Sequence, residues 1–251
     1  MTTPFHDHFS TVAADYRAFR PKYPHELFEF LAEASPGRNL AWDCGTGSGQ
    51  AAVALAPHFA KVFASDASEK QLANAEPHPN VEYMVAPAEN CPLPDASVDL
   101  VTVAQAIHWF DFDRFYAEVR RVSKPGGLLA AWTYDIHTIS PEIDPVMERF
   151  LTTFIRPYWP PQRAYADAGY RTLPFPFPEV GRPGFKMVAK WNMHHLLGYI
   201  NTWSAVRNYE QQHGMNPMGM LAAALIGIWG DPETVRVIRW QFSMRLGRVS
   251  E

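Results

Sequence analysis

The first half of the chain alternates short apolar runs with stretches of helical spacing. Runs at Leu40 to Asp43, Val62 to Asp66, Val81 to Val85, Val98 to Ala104 and Leu128 to Thr133 read as strands. Strand and helix alternating in this way is the pattern of a parallel sheet covered on both faces. Helical periodicity opens at His25 to Ala34, where Leu27, Phe30, Leu31 and Ala34 share one face. A second helix is expected from about Gln50 to Ala56. Ser68 stands three residues before Gln71, as in a capping box, and Asp111 is placed to cap a helix whose Phe112, Phe115, Tyr116, Val119 and Val122 form a stripe. Pro125-Gly126-Gly127 is expected to stop that helix ahead of the fifth strand.

After Tyr134 the periodicity gives way to prolines interleaved with Tyr, Trp and Phe, and residues 136 to 183 read as an insertion or lid. A strand is expected to return at Phe185 to Trp191. Helices follow near Leu196 to Tyr209 and Met218 to Trp229, and a last strand at Val235 to Met244. The fold class is therefore α/β, a doubly wound, mostly parallel seven-stranded sheet with a substrate-side insertion and cap.

Composition narrows the classes. With 251 residues, 47% of them hydrophobic and 14% aromatic, the chain suits one domain with a sizeable core. A formal charge of -4 offers no basic surface for a phosphate backbone, so nucleic acid is not expected as a partner. Two cysteines, Cys44 and Cys91, are too few for a disulfide framework and lack zinc spacing, which suits a reducing, cytoplasmic setting. Cys44 reads as a small core residue. No metal is expected, since no Cys or acid stands at ligand spacing beside His194-His195. The N-terminus lacks an apolar signal core, and the apolar run Met218 to Trp229 is too short to span a bilayer, so a soluble protein is expected.

Residues 39 to 50 carry the chemistry. A buried strand ends at Asp43 and enters a turn in which Gly45, Gly47 and Gly49 alternate, so backbone can approach a ligand more closely than side chains permit. The next helix points its N-terminal N–H groups back at that turn. A dinucleotide fingerprint would place its third glycine at position 50, which is Gln, so NAD is disfavoured. Asp66 ends the second strand, where a carboxylate can accept from both hydroxyls of a ribose. Ala88-Glu89 follows the third strand and Gln105-Ala106-Ile107-His108-Trp109-Phe110 the fourth, and in an open α/β sheet these segments converge outside the carboxyl ends of the strands.

The set Asp43-Cys44-Gly45-Thr46-Gly47-Ser48-Gly49-Gln50, Asp66-Ala67-Ser68, Ala86-Pro87-Ala88-Glu89, Gln105-Ala106-Ile107-His108-Trp109-Phe110 and Lys124-Pro125-Gly126-Gly127 resembles the class I S-adenosylmethionine-dependent methyltransferases of the small-molecule type. The Gln-Ala-x-His-Trp-Phe run and Tyr16-Arg17-Ala18-Phe19-Arg20-Pro21-Lys22-Tyr23-Pro24 are similar to the trans-aconitate methyltransferase-like branch. The resemblance implies that Gly45, Gly47 and Gly49 pass under the methionine and ribose, with Asp43 ordering the turn and reaching the amino group directly or through water. It further implies that Asp66 holds the ribose, Ala67 packs on adenine, Ala88 and Glu89 frame the adenine edge, and Gln105 meets the methionine end. Tyr16 and Arg20 would fold over the cofactor, the arginine pairing with the methionine carboxylate. By the same reading residues 39 to 134 are the cofactor-binding core and residues 1 to 24 a lid.

Methyl transfer from a sulfonium is an in-line displacement with a good leaving group, so positioning and desolvation supply most of the rate. A carboxylate acceptor needs no base. A phenol or enol does, and His108 is the candidate, with Trp109 and Trp203 as an aromatic wall and Arg207 as a cation for an acidic substrate. An acid or enol/phenol oxygen of a small molecule is the expected acceptor. A base-directed nucleic-acid methyltransferase would resemble families with Asn/Asp-Pro-Pro-Tyr/Phe after the fourth strand, where this chain has Gln105-Ala106-Ile107-His108. A non-catalytic S-adenosylmethionine-binding protein would show the same cofactor residues. The sequence leaves the identity of the acceptor and the oligomeric state open.

Overall fold

A computed structural model describes residues 19–181 and 183–249. Tyr16 and most of the expected lid lie outside the described residues. The sheet has seven strands, β1 (Leu40–Cys44), β2 (Lys61–Asp66), β3 (Val81–Val85), β4 (Val98–Ala104), β5 (Ser123–Tyr134), β6 (Lys186–Trp191) and β7 (Arg236–Arg248). Their spatial order is β3-β2-β1-β4-β5-β7-β6. Strands β1 to β5 pair in parallel, and β7 runs antiparallel between β5 and β6. The chain moves outward from β1 in both directions, so the carboxyl ends of β1 and β4 flank the crevice where strand order reverses.

Alternation along each strand feeds both covering layers. In β5, Leu128, Ala130 and Trp132 face α1 (His25–Ala34) and α2 (Gln50–Leu55) through Leu27, Leu31, Ala52 and Leu55. Leu129 and Ala131 face the opposite layer, where Trp42, Val101 and Val103 meet Phe115, Val119 and Val122 of α4 (Phe112–Val122). Full burial of each such aliphatic side chain stabilises the fold by roughly 1.5–3 kcal/mol. The short α3 (Glu69–Leu72) is capped by Ser68, whose hydroxyl accepts the Gln71 N–H at 3.4 Å, and α4 by Asp111, which accepts from Arg114 N–H at 3.2 Å.

The proline-rich insertion is helical. It contains α5 (Asp144–Phe150), a π-turn at Leu151–Ile155, a 3-10 turn at Arg156–Tyr158 and α6 (Arg163–Asp167). With α7 (Met193–Asn201), α8 (Ser204–His213) and α9 (Met218–Trp229) it forms a third apolar cluster through Ile143, Ile155, Leu196, Ile200, Leu221 and Trp229.

Three expectations are corrected. Pro125-Gly126-Gly127 does not stop α4: the helix ends at Val122, Ser123 is extended, and the Pro-Gly-Gly forms an irregular opening to β5, with the register shifting between Val98 and Leu100. The helical pattern from Leu196 to Tyr209 covers two helices, because Trp203 takes an extended backbone (φ -74°, ψ 137°) between α7 and α8. The last strand runs on to Arg248 because it pairs with β5 as well as β6. No described helix is long and apolar enough to cross a membrane.

Candidate active site

A cleft of about 710 Å³ opens over the carboxyl ends of the parallel strands. Its floor is the turn after β1. The Gly45 and Thr46 N–H groups donate to the Ser65 carbonyl at 2.8 and 3.0 Å, which stitches the turn to β2. Gly47 has φ +55°, and a Cβ built on it would meet only the Gln71 Oε1 at 3.9 Å. A side chain there would project into the cleft. Gly49 also has positive φ, and a Cβ built on it would collide with the Tyr83 hydroxyl and ring.

Asp43 and Gly49 do not line the cleft. The Asp43 carboxylate is fully buried, accepting from the Thr46 hydroxyl at 2.5 Å and the Thr102 hydroxyl at 2.8 Å. Burial pushes its pKa up to about 6 against these two hydrogen bonds. Here it acts as a strut beneath the turn, and a direct contact to a bound amino group is not part of this geometry. Asp66 does line the cleft. Its Oδ2 accepts the Gly47 N–H and its Oδ1 the Ser68 N–H, both at 2.9 Å.

Ala67, Ala88 and Glu89 line the same end, and Glu89 Oε1 accepts the Asp111 N–H at 3.0 Å. Gln105, at the end of β4, has φ +58°, a conformation costing of order 1–3 kcal/mol in a residue other than glycine. Three bonds hold it there. Its N–H donates to the Trp132 carbonyl at 2.9 Å, its Nε2 to the Tyr134 carbonyl at 3.3 Å, and its Oε1 accepts the Thr133 hydroxyl at 2.8 Å. Arg20 reaches the cleft wall, donating to the Tyr134 hydroxyl at 3.1 Å with its guanidinium 5.5 Å from the Tyr199 ring centroid.

The other end is aromatic. His108, Trp109, Trp159, Tyr199 and Trp203 line it. Trp159 packs against Trp203 at 5.5 Å between centroids. His108 is 6% exposed, and its Nδ1 lies 2.9 Å from the Tyr170 hydroxyl. Burial pulls its pKa down to about 3, and the Arg163 charge adds to the effect. So weak a base is a neutral hydrogen-bonding group at ordinary pH, which weighs against proton abstraction by His108. Arg207 does not line the cleft; Arg163 does. Arg163 stacks over Trp159 at 4.4 Å, spends its Nε on Asp167 at 2.8 Å, and its two terminal nitrogens make no hydrogen bond among the described residues. Sequence patterning missed Arg163, Trp159 and Tyr170 because all three sit in the insertion, where only aromatic density marked them. Among the described residues no group of His, Cys, Asp or Glu is arranged to hold a metal ion.

A backbone cradle that a Cβ would fill, beside a carboxylate fixed at a strand end, fits a nucleoside ligand with a charged tail. A methyltransferase domain model matches residues 42–131, the stretch that builds this cradle. A candidate methyltransferase of Dictyostelium discoideum is 37% identical over 80% of this chain and 78% of its own length. The chain belongs to the class I S-adenosylmethionine-dependent methyltransferases. The solved structure of a candidate type II methyltransferase from Anaeromyxobacter dehalogenans is 47% identical, covering 92% of this chain and 99% of that one with a TM-score of 0.86. A candidate S-adenosylmethionine-dependent methyltransferase of Saccharomyces cerevisiae is 32% identical over 49% of this chain and 45% of its own length. The methyltransferase takes S-adenosylmethionine as cofactor, which when bound supplies an electrophilic methyl group on a sulfonium.

Proposed function

We propose that this methyltransferase acts on a small organic acid, transferring the methyl group to one of its oxygens. The observation that carries the reading is Arg163, a guanidinium at the aromatic end of the cleft whose terminal nitrogens are uncommitted among the described residues. Such a fork suits a carboxylate, and Trp109, Trp159 and Trp203 supply apolar walls that exclude water from the transfer. The cation lies in the insertion, so the Arg207 role expected from sequence passes to Arg163. Neutral His108 contributes a hydrogen bond to the acceptor. An ionised acid needs no base.

At the opposite end, Asp66 is assigned to the ribose hydroxyls, Ala67 to the adenine face, and Ala88 with Glu89 to its edge. The backbone at Gly45 and Gly47 runs under the ribose and methionine, with Gly49 capping the helix behind them. Gln105 and Arg20 take the methionine end, where Arg20 pairs with the carboxylate. On this reading residues 39 to 134 are the cofactor core within one domain, and the insertion at 136 to 183 sets acceptor choice. Cys44 and Cys91, both free and buried, fit a reducing cytoplasmic location. Nucleic acid and membrane surfaces are not among the partners proposed.

The test is a screen of organic acids, enols, phenols and oligonucleotides by release of S-adenosylhomocysteine. Turnover with acids supports the reading. Transfer to oligonucleotides, or activity confined to uncharged acceptors, overturns it.

A further inference from the structure

Gly198 lies inside α7, where alanine is the better helix former. Its missing side chain is what lets Phe19 dock. A Cβ built on Gly198 would stand 2.5 Å from both Cδ1 and Cε1 of the Phe19 ring and 2.8 Å from its Cγ. Because Cγ is the root of the ring, turning the ring about its own axis does not relieve the contact, and the whole side chain would have to leave. His195, one turn earlier on the same face of α7, closes one side of this notch. Its ring meets Phe19 edge to face at 5.2 Å and stacks on Trp191 at 4.3 Å.

Phe19 does not line the cleft, but the next residue, Arg20, does. Arg20 continues along α7 toward its C-terminal end. Its Nη2 donates to the Thr202 carbonyl at 3.5 Å, its guanidinium lies 5.5 Å from the Tyr199 ring centroid, and its Nη1 donates to the Tyr134 hydroxyl at 3.1 Å. Beyond it, Gln50 at the start of α2 donates from Nε2 to the Pro21 carbonyl at 2.9 Å. Residues 19 to 21 are thus pinned at both ends, by a ring seated on α7 and by a hydrogen bond from the helix that follows the glycine turn.

We propose that Gly198 is a positioning residue for the cofactor: the notch it leaves seats Phe19, and the seated Phe19 delivers Arg20 to the methionine end of the cleft. This rests on the assignment of Arg20 to the methionine carboxylate. An arginine has much rotamer freedom to lose, so fixing its backbone and its neighbours in advance lowers the cost of ordering it on an arriving carboxylate. Filling the notch therefore weakens only ligands that carry that carboxylate.

Two compounds separate this effect from general damage. S-adenosylhomocysteine has the amino-acid end, and 5′-methylthioadenosine has the same nucleoside and thioether without it. In calorimetric titrations of the full chain, Arg20→Gln should lower affinity for S-adenosylhomocysteine about tenfold or more, as for one lost charge-assisted bond, and leave 5′-methylthioadenosine within about twofold. Gly198→Ala should lose the same selectivity, although alanine favours the helix and removes no donor. Phe19→Ala, which empties the notch and leaves α7 unaltered, should match it. A chain carrying both Gly198→Ala and Arg20→Gln should bind no more weakly than Arg20→Gln alone, because the glycine acts through the arginine. Wild-type affinity for S-adenosylhomocysteine in either Gly198→Ala or Phe19→Ala overturns the proposal, as does equal weakening of both compounds or an additive loss in the double variant. Selectivity lost in Arg20→Gln and kept in Gly198→Ala removes the notch and leaves the arginine assignment standing. Selectivity kept in Arg20→Gln removes both. No methyl acceptor enters the measurement, so the outcome of the acceptor screen is separate.

Discussion

The Asp66 carboxylate accepts the Gly47 N–H at 2.9 Å, joining the end of β2 to the apex of the turn after β1. One side chain thereby holds the backbone of the cradle and lines the cleft. Asp66→Ala loses both functions. A charge-assisted hydrogen bond contributes about 1.5–3 kcal/mol, so calorimetric affinity for S-adenosylhomocysteine should fall by at least about tenfold. Unchanged affinity would remove Asp66 from the ribose site.

Gly47→Val tests the cradle itself. Its Cβ meets nothing in the protein closer than 3.9 Å, so the added methyl groups occupy ligand space and leave the core untouched. Cofactor binding should vanish with the circular dichroism spectrum retained. The positive φ adds backbone strain of about 1–2 kcal/mol that Gly47→Ala shares, so the smaller variant isolates the steric effect. Normal binding by the valine variant would make the turn purely structural.

Asp43 predicts a pH dependence of stability. Its pKa rises from 3.8 in the unfolded chain to about 6 in the fold, because burial disfavours the carboxylate. Between those values the folded form keeps a proton that the unfolded chain releases, so stability falls as pH rises through the window and levels off above it. At about 1.4 kcal/mol per unit, the loss is about 3 kcal/mol. Urea unfolding at pH 4 and pH 7 should show wild type losing that amount relative to Asp43→Asn, which carries no titrating group. A difference between the two proteins that stays constant with pH contradicts the assignment.

The parts of the site that were legible in the sequence are local. Gly47 and Asp66 each lie at the end of an apolar run, and in a parallel sheet strand ends converge whatever the loops do. The position of the Asp43 carboxylate was not legible, because it is decided by Thr102 on the neighbouring strand, 59 residues away. Helical spacing also runs unbroken through Leu196, Tyr199, Ile200, Trp203 and Val206, so nothing local announces the extended Trp203 that separates α7 from α8 and sits on the cleft wall. In the insertion, prolines erase periodicity, and Arg163 reaches the site only through docking of α6 beside the 3-10 turn at Ile107–Trp109.

Arg163 carries the prediction that separates acceptor binding from cofactor binding. Its Nε is tied to Asp167 and its plane stacks on Trp159, so the guanidinium is pre-oriented and little side-chain entropy remains to be lost when an anion arrives. Arg163→Gln removes the charge and the fork while leaving the glycine turn and Asp66 intact. Affinity for S-adenosylhomocysteine should be unchanged, and KM for an acid acceptor found in the screen should rise about tenfold to a hundredfold, the equivalent of losing one charge-assisted bond. The same substitution should raise the pKa of His108, because the Arg163 charge is one of the two causes holding it down. Burial is the larger cause, so that pKa should stay below 6.5, the ordinary value of the ring. Steady-state kinetics and the histidine nitrogen signals followed against pH read the two effects independently. An unchanged KM with a shifted His108 would leave Arg163 as an electrostatic neighbour of the histidine and take the acceptor's carboxylate elsewhere in the cleft.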